Sequence, residues 1–125
     1  MKIRQIFLLI AAIGLTPIAF SYGFMPQKSL PYLFDVSVSD TNSIHIFRAV
    51  MGLYLALVLF WITGAIKVQL RQAALYSLIV FMLGLAAGRI LSLVVDGIPH
   101  WLLVVYLVLE LFFGILGILL IRKSD

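Results

Sequence analysis

The sequence predicts an all-α integral membrane fold, an antiparallel four-helix transmembrane bundle with both termini cytoplasmic. Three observations predict it. The 125-residue chain is 64% hydrophobic and only 11% charged, with a mean hydropathy of +1.20. A soluble body of this length has too little interior to hide so much apolar surface. Second, four apolar stretches approach the ~20 residues that a helix needs to cross a hydrocarbon core, and none shows the strict alternation of a lipid-facing barrel strand. Third, the charges alternate from loop to loop. Lys2 and Arg4 precede the first stretch, Lys67 and Arg71 separate the second from the third, and Arg122 and Lys123 follow the fourth. The remaining connections set Lys28 against Asp35, Asp40 and Asp96. Positive residues gather on the cytoplasmic side, so the 23–42 connection and the 96–100 turn are expected outside.

A single domain covers residues 1–125, with spans expected near 3–22, 43–66, 72–95 and 99–121 and an external connection over 23–42. Residues 1–22 also have the features of a signal peptide: Lys2, Arg4, an apolar core and small residues at Ala19-Phe20-Ser21. The apolar core is long for that role, and an uncleaved first span is the expectation. Pro17 frees a carbonyl near the outer end of this span, which predicts a kink or an early end. The stretch from Tyr22 to Pro31 is rich in turn residues, yet Phe24, Met25, Leu30, Tyr32, Leu33 and Phe34 suit a short helix lying on the membrane or capping the bundle. Asp40-Thr41-Asn42-Ser43 supplies oxygen-bearing side chains that cap a helix start. Trp61, Trp101, Tyr32 and His100 fall at span ends, where aromatics anchor the interfaces. Gly97-Ile98-Pro99 makes a tight turn, so spans three and four are expected to be antiparallel neighbours.

Composition excludes several classes of function. The net charge of +4 is spread over loops rather than gathered in a patch, so nucleic acid is not an expected partner. With no cysteine, structural disulfides, thiol catalysis and thiolate metal sites are ruled out. Size, together with the lack of an appended domain or a eukaryotic targeting signal, points to a bacterial inner membrane.

The informative residues are three charges embedded in apolar runs: Arg48, Arg89 and Glu110. A charge near the bilayer centre costs about 2.5–3.5 kcal/mol on insertion scales, so it normally faces a partner, a cavity or a ligand. At helical spacing, Thr41, His45, Arg48 and Gly52 share one face of span two. Arg89 aligns with Ser92 and Asp96 on span three. On span four His100, Leu103, Tyr106, Leu107 and Glu110 share a face that Gly114 and Gly117 continue. By helical rise, Arg48 and Arg89 lie roughly 10 Å below the outer ends of their spans and Glu110 about 15 Å below His100. The three stripes are expected to meet in one outward-opening pocket. Arg89 and Glu110, on spans joined by a tight turn, are the simplest pair. Arg48 is left to share Glu110, to reach Asp40 or Asp96, or to bind an anion. His45 and His100 with Asp40 or Asp96 fall short of any metal-ligand motif, so no metal or cofactor is expected. Gly84 and Gly88 form a GxxxG pair that lets helices approach closely, within a subunit or between subunits; Gly52, Gly114 and Gly117 are expected to pack similarly.

The run Gly84-Leu85-Ala86-Ala87-Gly88-Arg89-Ile90-Leu91-Ser92-Leu93-Val94-Val95-Asp96-Gly97-Ile98-Pro99 resembles the signature of a small bacterial membrane family, domain of unknown function 4345. Phe47-Arg48-Ala49-Val50-Met51-Gly52-Leu53-Tyr54 and Glu110 resemble it too. The resemblance covers almost the whole chain and implies a four-helix membrane protein, with no activity attached. A looser similarity to DoxX-like four-helix proteins rests on layout alone.

The leading functional expectation is a non-enzymatic membrane protein whose outward pocket binds an anionic or amphipathic small molecule or a lipid. In that reading Arg48 and Arg89 hold the anion, Glu110 orients Arg89, and His45, Ser92, Asp96, His100 and Tyr106 complete the polar lining. The alternatives are an accessory subunit, in a homo-oligomer or beside a membrane partner, whose charges serve packing, and an enzyme or proton-coupled carrier using Glu110 and His100.

Overall fold

The computed structural model describes residues 2–123 and is built from helices, with no strand among the described residues. In chain order they are α1 (Ile3–Gly23), α2 (Pro26–Phe34), α3 (Thr41–Ile66), α4 (Val68–Val95) and α5 (Trp101–Ile121). All but α2 are long and apolar enough to cross a membrane. Helix is the state that satisfies every backbone donor and acceptor within its own segment, which is what a hydrocarbon environment demands.

α1 is the spine of the structure. Phe7, Leu8, Ala11, Ala12, Leu15, Ala19 and Tyr22 are all buried along it, following the three-and-four spacing of one helical face. The helix continues through Pro17 to Gly23 instead of ending early. Leu15 and Ala19 are locked into the core on either side of the proline while Pro17 itself points outward, so packing outweighs the lost hydrogen bond.

Neighbouring helices run in opposite directions, as their contact registers show. Gly23 of α1 lies against Phe47 and Met51 of α3, while Gln5, at the other end of α1, donates to the Ala65 carbonyl at 2.9 Å. Along α3 and α4 the meeting pairs are Tyr54 with Phe81 (5.0 Å between ring centres), Trp61 with Ser77 (3.0 Å) and Gly64 with Ala74. Only Lys67 separates α3 from α4, so α4 begins four residues before the expected 72 and carries Arg71 inside its first turns. Gly97 makes the turn into α5 at φ +103°, a conformation open chiefly to glycine.

α2 caps one end of the bundle. Pro26, Leu30 and Phe34 recur every fourth residue and are buried, whereas Tyr32 is exposed. The helix closes where Asp35 adopts a left-handed conformation (φ 59°) and the amides of Asp35 and Val36 return to the carbonyls of Pro31 and Leu30. Asp40 then caps α3: its carboxylate accepts from the Ser43 hydroxyl at 2.7 Å and from the Ser43 amide at 3.0 Å. Those bonds hold the Asp40 carboxyl below the ordinary carboxylate range.

At the opposite, Lys67 end, two arginines are nearly inaccessible: Arg4 and Arg71. Arg71 donates from Nε to Gly64 O (3.0 Å) and from Nη2 to Ala65 O (2.9 Å), satisfying carbonyls that the end of α3 leaves free. Arg4 donates to Gln72. Beyond marking the loops by their charge, these two residues therefore hold helix ends and helix neighbours together. Trp61, expected as an interfacial anchor, is instead fully buried, with its indole N–H satisfied by Ser77.

Close helix approach occurs at Gly23, Gly64, Gly114 and Gly117, where a Cβ would collide with a neighbouring helix. Gly114 and Gly117 sit on Leu83 and Ile79 of α4. By contrast Gly52, Gly84 and Gly88 meet no atom within 4 Å of a Cβ position, so the GxxxG pair admits no helix of this chain. Gly64→Ala should therefore destabilise the protein by about 1–3 kcal/mol, while Gly84→Ala should be neutral or stabilising by up to ~1 kcal/mol through helix propensity. Thermal unfolding of both purified variants in detergent checks this; equal loss at both positions would contradict the packing described.

Candidate functional site

The long helices bring a small set of polar groups into an apolar interior. Arg89, on α4, donates from Nε to both carboxylate oxygens of Glu110 on α5, at 2.9 and 3.1 Å. Tyr22 of α1 stands 3.5 Å from Arg89 Nη2, at the limit of a hydrogen bond, and the guanidinium lies 5.8 Å from the centre of the Tyr106 ring. That is close enough for the ring face to attract the cation. The pair is deep: the side chains are 22% and 8% exposed for Arg89 and Glu110. Nη1 of Arg89 donates to no described residue.

Aromatic rings enclose this pair. Tyr22 stacks on Phe34 (5.8 Å) and Phe47 (6.3 Å) and meets Tyr54 edge-on (5.6 Å). Phe34, from the capping helix, also meets Tyr106 edge-on at 5.8 Å. Edge-on and offset rings exploit the opposite charges of ring face and edge. Tyr22, Phe34 and Tyr54 are residues that sequence reasoning missed. Tyr22 and Tyr54 offered a signal, as hydroxyls at the end of and within an apolar span.

Two openings flank Arg89. One is a cavity of about 80 Å³ bounded by all four long helices, with Tyr54, Arg89, Tyr106 and Glu110 at its polar end and Ala11, Gly14, Leu15, Ile18, Leu109 and Phe113 along its apolar length. Gly14 and Leu109 are exposed, so it opens sideways between α1 and α5. The other is a groove between α4 and α5 of about 360 Å³, where Gly84, Gly88, Arg89 and Ser92 face Leu103, Val104 and Leu107.

The remaining expected site residues are distributed differently. Arg48 does not join Arg89. It is exposed and donates from Nη1 to the carbonyls of Gly23 (3.1 Å) and Phe24 (3.2 Å), capping the negative end of α1. The whole stripe of Thr41, His45, Arg48 and Gly52 is exposed, because α3 turns Tyr54, Val58, Trp61 and Ala65 inward instead. Ser92 donates to Asp96 at 2.6 Å, both exposed at the end of α4. His100 caps α5, its Nδ1 accepting from Leu102 N at 3.2 Å, and its ring meets Phe34 edge-on at 6.4 Å. The single pocket expected from three polar stripes is thus replaced by one buried pair, two helix caps and two exposed groups.

A helical membrane protein with an ion pair enclosed by aromatic rings is the class that fold and site define. The chain belongs to the family described as Domain of unknown function (DUF4345), whose profile matches residues 3–121. No curated protein and no solved structure matches it.

If Arg48 serves as the cap of α1, then Arg48→Leu should expose the amides of residues 22–26 to hydrogen exchange at least tenfold faster, as a lost bond to a charged donor of about 1.5–3 kcal/mol implies. Exchange around Glu110 should be unaffected. Faster exchange at Glu110 with none at Gly23 would instead place Arg48 in the buried site.

Proposed function

We propose that the protein binds an amphipathic small molecule or a lipid within the membrane, with its polar end at Arg89, Glu110, Tyr54 and Tyr106 and its apolar part in the cleft between α1 and α5. One observation carries the reading: a cavity bounded by all four long helices ends on the buried ion pair and opens sideways. Ligand sites are characteristically apolar recesses with a few convergent polar groups. A recess reached from the side suits a molecule that partitions into lipid. In the same reading the α2 end faces outward and both termini are cytoplasmic, since Lys2, Arg4, Lys67, Arg71, Arg122 and Lys123 gather at the other end. A bacterial inner membrane remains the proposed location.

A second reading has its own support. Arg89 bonds α4 to α5 and approaches α1 through Tyr22, so the pair could serve only to tie helices together in an accessory subunit.

Gly14→Leu separates the two. Gly14 lines the cleft and no atom lies within 4 Å of a Cβ there, so the larger side chain has room and should obstruct the cleft while the ion pair keeps both its partners. Native mass spectrometry of the purified protein should show a copurified amphipath that Gly14→Leu releases. Thermal stability should stay within about 1 kcal/mol of the wild type. A wild type carrying nothing, or a ligand retained equally by Gly14→Leu, would leave the packing role standing alone.

A further inference from the structure

The charge balance at the cleft indicates which head it takes. Resting on the ligand-binding reading above, we infer that the cleft selects an amphipath with an uncharged, hydrogen-bonding head, a hydroxyl or carbonyl, over one ending in a carboxylate or phosphate.

The sequence counts two cations to one anion in its apolar runs, which favours an anionic ligand. The structure removes the excess. Arg48 is committed to the carbonyls of Gly23 and Phe24 and does not line the cleft. What remains there is Arg89 with Glu110, 2.9 Å apart, a pair with no net charge. Both line the cleft. An anionic head entering it would approach the Glu110 carboxylate along with the guanidinium, and would surrender its hydration with no net positive field in return. The opposite approach to Arg89 is no more favourable to an anion. The Ser92 hydroxyl there already donates its hydrogen bond to Asp96, which places a second carboxylate near the groove.

An uncharged head meets none of these penalties. Arg89 Nη1 is a donor without a described acceptor, Glu110 oxygens accept, and the hydroxyls of Tyr54 and Tyr106 can do either. A hydroxyl-ended chain can both donate and accept at such a site; a carbonyl-ended one can accept from Arg89 or a tyrosine. The walls ask only for hydrocarbon: Ala11, Leu15 and Ile18 from α1 face Leu109 and Phe113 from α5.

The test uses the full-length protein, delipidated in detergent, titrated at pH 9 with 1-dodecanol or with dodecanoate and read by native mass spectrometry. The wild type should bind dodecanol at least tenfold more tightly than dodecanoate, and Gly14→Leu should bind neither. Glu110→Gln leaves Arg89 unbalanced and should shift the preference toward dodecanoate by tenfold or more. Tyr54→Phe combined with Tyr106→Phe keeps the ion pair and should weaken dodecanol about fivefold, a hydrogen-bond-sized effect. Equal binding of the two probes by the wild type, or a preference for dodecanoate, overturns the selection of an uncharged head and leaves the ligand-binding reading in place. Binding of neither probe, or binding of both unchanged in Gly14→Leu, overturns both.

Discussion

The Arg89–Glu110 contact is the constraint around which the rest of the structure is arranged. Two charges cannot remain separated in an apolar interior: breaking a buried pair by losing one partner typically costs 3–5 kcal/mol. Their meeting at 2.9 Å fixes the register of α4 against α5. Once it is fixed, Gly114 and Gly117 fall opposite Leu83 and Ile79, where the missing Cβ makes room for those side chains. Tyr22 brings the α2 end of α1 to the same point, and the rings of Phe34, Phe47 and Tyr54 gather on Tyr22. The ion pair, the aromatic enclosure and the glycine contacts therefore form one connected arrangement.

Two other arginines solve a different problem, that of helix ends. Arg48 donates to the last carbonyls of α1 and Arg71 to those of α3. Both occupy the negative end of a helix dipole, where a cation is favoured, and both satisfy acceptors that a short connection would leave unbonded. Arginine suits this task because its fork of donors reaches two carbonyls at once. Sorting the arginines in this way is what leaves the interior site electrically balanced.

Much of the fold was legible in the sequence for simple reasons. Hydropathy over a span-length window does not depend on tertiary detail, so the four long helices could be read directly. The Arg89–Glu110 pairing was legible because the Gly97 turn forces α4 and α5 together, leaving the two charges few other partners. The orientation of α3 was not. A helix that is apolar all round carries no amphipathic signal, and the polar stripe of Thr41, His45, Arg48 and Gly52 invited the assumption that polar means inward. In lipid, packing volume decides: Tyr54, Val58 and Trp61 fill the interior, and the stripe is left outside. Trp61 was misplaced for a related reason, since an aromatic near a span end looks like an anchor until Ser77 is seen to satisfy its N–H. The close approaches at Gly23 and Gly64 were hidden because each needs a partner from a different helix, which no local spacing reveals.

The most direct test of this account is exchange of the charges within the pair, with thermal stability in detergent as the readout. Arg89→Glu and Glu110→Arg should each destabilise the protein by several kcal/mol, since each leaves like charges buried together. Combining them should restore at least half of the loss. Combining Glu110→Arg with Arg48→Glu should restore nothing, because Arg48 lies at the end of α1 and not beside Glu110. Rescue by Arg48→Glu, or failure of the Arg89→Glu and Glu110→Arg exchange to improve on either single variant, would contradict the pairing on which the structure is built.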